Sequence, residues 1–286
     1  MEGYHRSVLL KEVVEALDVE KGKWYLDCTL GDGGHSLGIL KLGGNIVGID
    51  IDPEALERVK KRFEEEGISK SKYKLILGNF RDQTETVDQR FAGVIFDLGV
   101  SSLQLETPER GFSFGKVGPL DMRMDPKLAV KALDLLRVLT RKELYELFHG
   151  LGEEKYSWRL ADALVGAREI ETTKDLANIV EKVVGYRREK IHPATRIFQA
   201  LRMAVNDELG ALKEGLDRVK NLIERDGRIV VISFHSLEDR IVKNTFKKWQ
   251  LEGLGETLTK KPVVPEDSEI AQNPRSRSAK MRIFRI

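Results

Sequence analysis

The segment that decides the fold reads DCTLGDGGH, residues 27–35, and it joins two stretches of different periodicity. Before it, residues 24–29 (WYLDCT) are short, apolar and β-prone, whereas residues 33–42 after it have the apolar spacing of a helix. Residues 45–50 (NIVGID) follow as a second predicted strand. A strand, a glycine-rich loop, a helix and another strand in this order predict parallel strands joined by a crossover helix.

The same alternation continues along the chain. A helix is predicted over residues 53–65, with Pro53 at its first position, where proline is favoured. Two further apolar, β-prone stretches, residues 73–77 and 92–98, are predicted strands. We therefore predict an α/β fold with a Rossmann-like, doubly wound sheet.

The alternation stops after the fourth predicted strand. Residues 107–124 are rich in Gly, Phe, Pro and Arg without periodicity, and the next predicted strand is residues 228–234. Between these two segments the apolar spacing predicts amphipathic helices at residues 142–149, 156–168 and 173–184. We predict that residues 107–205 form an inserted all-helical domain, and that residues 1–106 and 206–286 form the α/β domain.

The last part of the chain predicts a return to the sheet. A single long helix over residues 194–224 leads into the strand, and another helix follows over residues 236–249. Residues 281–286 (MRIFRI) alternate as a closing strand, with residues 257–264 as its candidate hairpin partner.

Composition limits the classes of protein that the chain can belong to. The 286 residues include 48 Lys and Arg against 46 Asp and Glu, so a net charge of +2 does not identify a nucleic-acid binder. The single cysteine, Cys28, excludes an internal disulfide and favours a reducing compartment. Neither a signal peptide nor an apolar run of about 18 residues occurs, so we expect a soluble, cytoplasmic protein that does not span a membrane. The five histidines and one cysteine form no metal-ligand motif, and we expect no metal.

The loop after the first strand predicts a cofactor site. Gly31, Gly33 and Gly34 let the backbone pass close to a ligand, and the helix that follows presents free N–H groups. Asp50 ends the second strand about 20 residues further on, where an acid can accept hydrogen bonds from ribose hydroxyls. The alternative to a cofactor site is a glycine turn that only packs the helix on the strand.

Two cofactors compete for this site. A dinucleotide site requires G-x-G-x-x-G, and Ser36 replaces its third glycine. S-adenosylmethionine carries no phosphate, and its methyltransferases accept looser loops led by an acid, here Asp27, so we favour it. Phe80 after the third strand can cover adenine or pack in the core, and His35 can bind the cofactor or only begin the helix. Asp97 ends the fourth strand, at the usual ligand edge of such sheets.

Taken with the motif DLGVSS at residues 97–102, the sequence closely resembles the MraW/RsmH family, bacterial methyltransferases of small-subunit ribosomal RNA that modify a cytidine at N4. Any one of the shared blocks can arise by chance, whereas seven in the same order are highly specific. The blocks are GDGGH at 31–35, DLGVSS at 97–102, RGFSF at 110–114, GPLDMRMD at 118–125, HPATRIFQALR at 192–202, SFHSLEDRIVK at 233–243 and NPRSRS at 273–278.

The resemblance covers nearly the whole chain and implies a fold, a reaction and a set of ligands. The implied fold is a methyltransferase domain with an inserted helical domain. The implied reaction is S-adenosylmethionine-dependent N4-methylation of a cytidine in 16S ribosomal RNA, either free or within the small ribosomal subunit. The implied cofactor ligands are Gly33, Gly34, His35, Asp50, Phe80, Asp97 and Gln104.

The chemistry of an exocyclic amine makes Asp97 the candidate catalytic residue. The N4 lone pair of cytosine is delocalised into the ring, so a group that accepts hydrogen bonds from the amine makes the nitrogen more nucleophilic. Many amino-methyltransferases place a (D/N/S)-P-P-(Y/F) tetrapeptide after the fourth strand, and residues 97–100 (DLGV) keep only its acid. Phe112 or Phe114 can supply the missing stacking surface, or they can anchor the start of the insertion.

Two further groups are predicted to flank the base. Side chains on or near the helix predicted from residue 194 form one group, and the end of the fifth strand supplies the other. They are His192, Arg196 and Gln199, and Ser233, His235 and Ser236, and each of them can equally have a structural role. Basic clusters at residues 186–190 and 275–285 can bind RNA phosphates, although such clusters are also ordinary solvated surface.

Three other functions remain open at this level. A Rossmann oxidoreductase would bind nicotinamide or flavin, and a methyltransferase of another class would modify protein or small molecules. An RNA-binding protein without activity would have kept a cofactor pocket that no longer works, which the intact glycine loop and Asp50 argue against.

Overall fold

The computed structural model describes residues 4, 6–167, 169–185 and 192–286. The chain divides into two compact units, which are Met1–Gly99 with Leu209–Ile286, and Val100–Glu208. We call the first the sheet unit and the second the helical unit. Each is described by itself.

The sheet unit is built on seven strands in the order β3-β2-β1-β4-β5-β7-β6. The strands are β1 Trp24–Asp27, β2 Asn45–Asp50, β3 Tyr73–Leu77, β4 Phe91–Asp97, β5 Ile223–Ser233, β6 Glu256–Thr257 and β7 Lys280–Arg285. Strands β1 to β5 pair in parallel, whereas β7 runs antiparallel to both β5 and β6. The α/β prediction, with parallel crossovers and a closing strand at the C-terminus, is confirmed.

Helices cover both faces of this sheet. They are α1 Leu10–Leu17, α2 Gly34–Lys41, α3 Pro53–Glu65, α4 Phe80–Gln83, α11 Glu208–Val219, α12 Ser236–Leu251 and α13 Asp267–Gln272, of which α11 begins at the unit boundary. Helix α3 shows why the sequence folds this way locally: the Asp52 side chain accepts from the Glu54 N–H, and Pro53 occupies the first turn. Two apolar clusters, one on each face, bury the sheet.

The helical unit has its own apolar core. Its helices are α5 Ser102–Glu106, α6 Ala132–Val138, α7 Arg141–Gly150, α8 Ser157–Leu164, α9 Thr173–Val184 and α10 Ala194–Asn206. Thr140 caps α7 and Thr172 caps α9, each paired with an acid three residues later in a capping box. Fully buried Leu144, Phe148 and Leu201 are among the side chains that hold these helices together.

One element differs from the prediction. The single helix predicted over residues 194–224 is wrong, because the chain forms α10 and α11 with Asp207 between them. Asp207 has a positive φ of 47°, a left-handed conformation that ends a right-handed helix. Strand β5 then begins at Ile223, earlier than the predicted residue 228. No helix in the described part of the chain is long and apolar enough to cross a membrane.

Candidate functional site

The parallel strands bring three acids to one edge of the sheet. Asp27, Asp50 and Asp97 end β1, β2 and β4, and β1 lies between the other two strands. Because the chain leaves β1 towards β2 on one side and later returns to β4 on the other, this edge is the topological switch point where open α/β sheets bind ligands. Three carboxylates there favour a cationic ligand and disfavour a pyrophosphate.

The glycine loop between β1 and α2 is held close to its neighbours. The N–H of Gly31 donates to Asp50 Oδ2 at 2.7 Å. Gly33 has a φ of +69°, and a Cβ added there would lie 3.0 Å from Val59 Cγ2. A Cβ at Gly34 would lie 2.0 Å from Ser7 Oγ. These glycines therefore permit close packing of the loop against Val59 and Ser7.

Helix α3 fixes the loop from outside. Arg58 binds both carboxylate oxygens of Asp32, at 2.9 and 3.3 Å. Arg62 donates to the Asp32 carbonyl oxygen at 2.7 Å, and its guanidinium lies 4.6 Å from the centre of the Tyr4 ring. The side chain of Asp32 is thereby engaged in structure, although it stands within the glycine motif.

Asp27 organises the start of α2. Its carboxylate is buried, accepts from Ser36 Oγ at 2.7 Å and accepts from the Thr29 N–H at 3.2 Å. Burial raises the pKa of Asp27, while the hydrogen bond from Ser36 acts in the opposite direction. Ser36, which replaces the third glycine of a dinucleotide motif, therefore has a defined partner in this protein.

Asp50 has a structural role, and the pKa of its carboxyl is raised. Besides the Gly31 N–H, it accepts from the Asp52 N–H at 2.9 Å. Burial raises the pKa of the Asp50 carboxyl to about 6, against the lowering effect of those two hydrogen bonds. Two hydrogen bonds leave a carboxylate with spare acceptor sites, so Asp50 can still bind hydroxyl donors.

Asp97 and His35 meet at the same edge. His35 Nε2 lies 3.3 Å from Asp97 Oδ2, and only 5% of the His35 side chain is exposed. Among the described residues, Asp97 Oδ1 and both ring nitrogens of His35 are buried atoms without a hydrogen-bond partner. The Asp97 backbone is fixed, because its N–H donates to Thr29 Oγ1 at 2.6 Å. Thr29 is a part of the site that the sequence analysis missed, and only the β1–β4 pairing reveals it.

The end of β5 supplies a third group. Ser233 is 1% exposed, and its Oγ has no hydrogen-bond partner in the part of the chain that the structure describes. The buried Glu238 accepts from the Phe234 N–H at 2.8 Å and lies 3.0 Å from His235 Nε2. His235 thus caps α12 in a capping box with Glu238, while Ser236, at the first position of α12, is exposed.

Phe80 is only partly buried. Its ring packs edge-on against Phe96, with centroids 5.3 Å apart and planes at 87°. A Cβ at Gly215 of α11 would come within 2.6 Å of the ring, so that glycine permits the close packing. The ring therefore contributes to the core and retains some exposed surface, and the two roles considered for Phe80 are compatible.

The remaining predicted site residues lie in the helical unit. Gln104 is buried, and its Oε1 accepts from the Ser101 N–H at 3.2 Å in the capping box of α5. Phe112 is buried in the core of this unit, so its ring faces are covered. Phe114 is partly exposed and stacks on His192, with centroids 4.4 Å apart and an angle of 18°.

Other polar side chains of the helical unit form pairs within it. His192 Nε2 lies 2.8 Å from Glu181 Oε1. Arg196 Nη1 lies 3.5 Å from the buried carboxylate of Glu154, a partner that no sequence pattern predicted. Gln199 is half-buried on α10. His192 and Phe114 are thus brought together, while Arg196 is directed to an acid of its own unit.

Only one of the two basic clusters lies within the described residues. Residues 186–190, with Arg187 and Arg188, lie outside the described residues. In the C-terminal cluster, Arg282 and Lys280 contact Asp239, and Arg285 pairs with Glu256. Those three cations are engaged in structure. Within the ranges described, no group of three or more His, Cys, Asp or Glu side chains could hold a metal ion.

The sequence of the chain matches a family model and several known proteins. A family model described as the MraW methylase family matches residues 2–286. The ribosomal RNA small subunit methyltransferase H of Sulfurihydrogenibium sp. is 44% identical over 292 residues, covering 98% of this chain and 98% of that protein. The protein of the same name from Persephonella marina is 46% identical over 290 residues, with 98% of each chain covered.

A solved structure supports the fold. A proposed methyltransferase from Streptococcus mutans, crystallised in complex with SAH, matches with a TM-score of 0.50 and covers 98% of both chains. Its sequence is only 10% identical, so this likeness concerns the fold alone.

Proposed function

Since this chain belongs to the MraW methylase family, we propose that it transfers a methyl group from S-adenosylmethionine to N4 of a cytidine in 16S ribosomal RNA. The observation that carries the proposal is the full-length match to proteins named ribosomal RNA small subunit methyltransferase H. The cytidine and its N4 atom come from the sequence resemblance. Such an enzyme works where small ribosomal subunits are assembled, in the cytoplasm.

The residues at the sheet edge fit S-adenosylmethionine. When bound, this cofactor supplies an activated methyl group on a positively charged sulfur. Three acids at one edge suit a cation, and the glycines of the loop let the backbone pass close to a ligand. Asp50 retains acceptor sites for ribose hydroxyls, and Phe80 retains exposed ring surface for adenine. Gly31, Gly33, Gly34, Gln104 and the backbone of His35 complete the proposed cofactor set.

Asp97 is the proposed catalytic residue. Its side chain is 25% exposed, while its backbone is fixed by Thr29. An accessible carboxylate oxygen can accept a hydrogen bond from the N4 amine as that nitrogen becomes tetrahedral, or from the amino group of the cofactor. No strong general base is required, because the methylated nitrogen loses its proton readily.

We assign RNA recognition mainly to the helical unit. The stacked pair of Phe114 and His192 has the aromatic character that binds unstacked bases. Phe112 supports this segment from the core, and Arg196 and Gln199 are proposed to contact RNA from α10. In the sheet unit, Ser233 offers an unpartnered hydroxyl at the end of β5, and His235 and Ser236 follow it.

The rival functions make different predictions for one experiment. Purified protein is incubated with S-adenosylmethionine carrying a labelled methyl group and with 16S RNA, assembled small subunits, transfer RNA or total cell protein in separate reactions. We expect label in N4-methylcytidine from 16S RNA or small subunits alone. Label in protein or transfer RNA would indicate a different methyltransferase, and affinity for a nicotinamide or flavin cofactor instead of S-adenosylmethionine would indicate an oxidoreductase.

A further inference from the structure

The side chain of His35 has a partner that its place in the glycine motif does not explain. We infer that His35 is a positioning residue: its contact with Asp97 Oδ2 holds the Asp97 carboxylate in one orientation towards the reacting amine. The inference rests on the proposed function, because it assigns a role within that methyl transfer.

The geometry of the pair supports this role. His35 is the second residue of α2, Asp97 is the last residue of β4, and Nε2 and Oδ2 are 3.3 Å apart. At this distance the two atoms are in contact, although the contact does not have the geometry of a regular hydrogen bond. Catalytic contacts are often long in the free protein and tighten in the reactive complex. His35 is 5% exposed, so its ring has little space to turn away.

The two oxygens of the Asp97 carboxylate differ in burial. Oδ1 is buried without a partner among the described residues while the side chain is 25% exposed, so the accessible oxygen is Oδ2, which faces the imidazole. Without the imidazole, the carboxylate could rotate about χ2, and its oxygens would not be held in one orientation. An acceptor held in one orientation spends more of its time in the geometry that methyl transfer requires.

A role in cofactor binding alone predicts a different outcome. The backbone of residues 33–35, at the start of α2, can serve the cofactor whatever the side chain at position 35 is. Our inference therefore places the effect of the imidazole in the chemical step. A replacement of the side chain should slow methyl transfer more than it weakens S-adenosylmethionine binding.

Two amides of different length provide a matched pair of variants. The amide nitrogen of His35→Gln reaches close to the place of Nε2, whereas that of His35→Asn is shorter and corresponds to Nδ1. We expect His35→Gln to keep the single-turnover rate within about threefold of wild type at saturating cofactor. His35→Asn and His35→Leu should be at least about tenfold slower, with Kd for S-adenosylmethionine changed by less than about threefold in all three.

Coupling to Asp97 separates positioning from general structural support. If His35 acts through Asp97, adding His35→Leu to Asp97→Asn should slow the reaction by less than about twofold more. A full additional loss would overturn the inference. So would wild-type rates in His35→Leu, equal loss in the Gln and Asn variants, or a rate loss that disappears at saturating cofactor.

A spectroscopic measurement tests the contact without RNA. In ¹H–¹⁵N spectra of the histidine side chains, we expect the Nε2 proton of His35 to be observable in the wild-type protein and to shift in Asp97→Asn. An Nε2 signal that is the same in both proteins would overturn the inference even if His35→Leu fails to fold. If the signal shifts in Asp97→Asn but the wild-type protein does not methylate RNA, the result would instead contradict the proposed function.

Discussion

Lowering the pH from 7 to 5 tests whether Asp50 holds the ribose of the cofactor. Burial raises the pKa of the Asp50 carboxyl to about 6, so the free protein changes from mostly ionised to mostly protonated in this interval. Ribose hydroxyls donate hydrogen bonds to a carboxylate, and binding therefore favours the ionised form. The affinity for S-adenosylmethionine should fall as the pH drops through about 6.

The magnitude follows from the fraction of ionised carboxyl. With a pKa of about 6, about nine-tenths of Asp50 is ionised at pH 7 and about one-tenth at pH 5. If the protonated form binds much more weakly, the Kd for S-adenosylmethionine rises about tenfold between pH 7 and pH 5. This corresponds to a loss of about 1.4 kcal/mol in binding free energy. The stability of the free protein changes in the opposite direction: because folding raises this pKa from 3.8 to about 6, protonation of Asp50 stabilises the fold as the pH falls through about 6.

Calorimetric titration of wild type and Asp50→Asn between pH 5 and 8 provides the assay. The N–H groups of Gly31 and Asp52 donate to different oxygens of Asp50, so the Asn variant keeps an acceptor for only one of them, and it does not titrate. We expect it to bind more weakly than wild type at pH 7 and to lose the pH dependence. An unchanged wild-type Kd from pH 7 to 5, or the same slope in Asp50→Asn, would refute the assignment.

Three further predictions concern catalysis, the loop and RNA. Asp97→Asn should slow single-turnover methyl transfer at saturating cofactor by at least about tenfold, or about 1.4 kcal/mol, and full activity would remove Asp97 from the site. Gly33→Ala should cost about 1–3 kcal/mol in unfolding free energy and Gly31→Ala less, because both have positive φ but only the Cβ at Gly33 meets Val59; equal losses in denaturant titrations would contradict this reasoning. Reversing the charges of Arg187 and Arg188 should weaken RNA binding and flatten its salt dependence without changing cofactor affinity, and an unaltered slope would mean that these arginines are only solvated surface.

Local signals in the sequence were enough to predict much of the fold. Strands β2 and β3 and helices α3 and α9 were predicted with the bounds that the structure has, because apolar periodicity and a proline or capping residue mark them. The break between α10 and α11 was missed, since Asp207 stands within an uninterrupted helical pattern and only its left-handed conformation ends the helix. Helix α1 was not predicted either, although its apolar residues include buried Val13 and Leu17.

The candidate site was predictable to the extent that sheet topology dictates it. Asp27, Asp50 and Asp97 share an edge because they end parallel strands, which sequence periodicity predicts. The contacts of Asp97 with His35 and of Arg196 with Glu154 join residues that are distant in the chain, so they depend on tertiary packing. For the same reason, the sequence could not separate Phe112, which is buried, from Phe114, which is partly exposed.

Nucleoside mass spectrometry of 16S ribosomal RNA tests the central claim most directly. The RNA is isolated from cells with the gene for this protein, from cells without it, and from cells in which Asp97→Asn replaces the wild-type protein. We predict that a cytidine methylated at N4 is present in the first, absent in the second and strongly reduced in the third. The same amount of N4-methylated cytidine in all three would contradict the account.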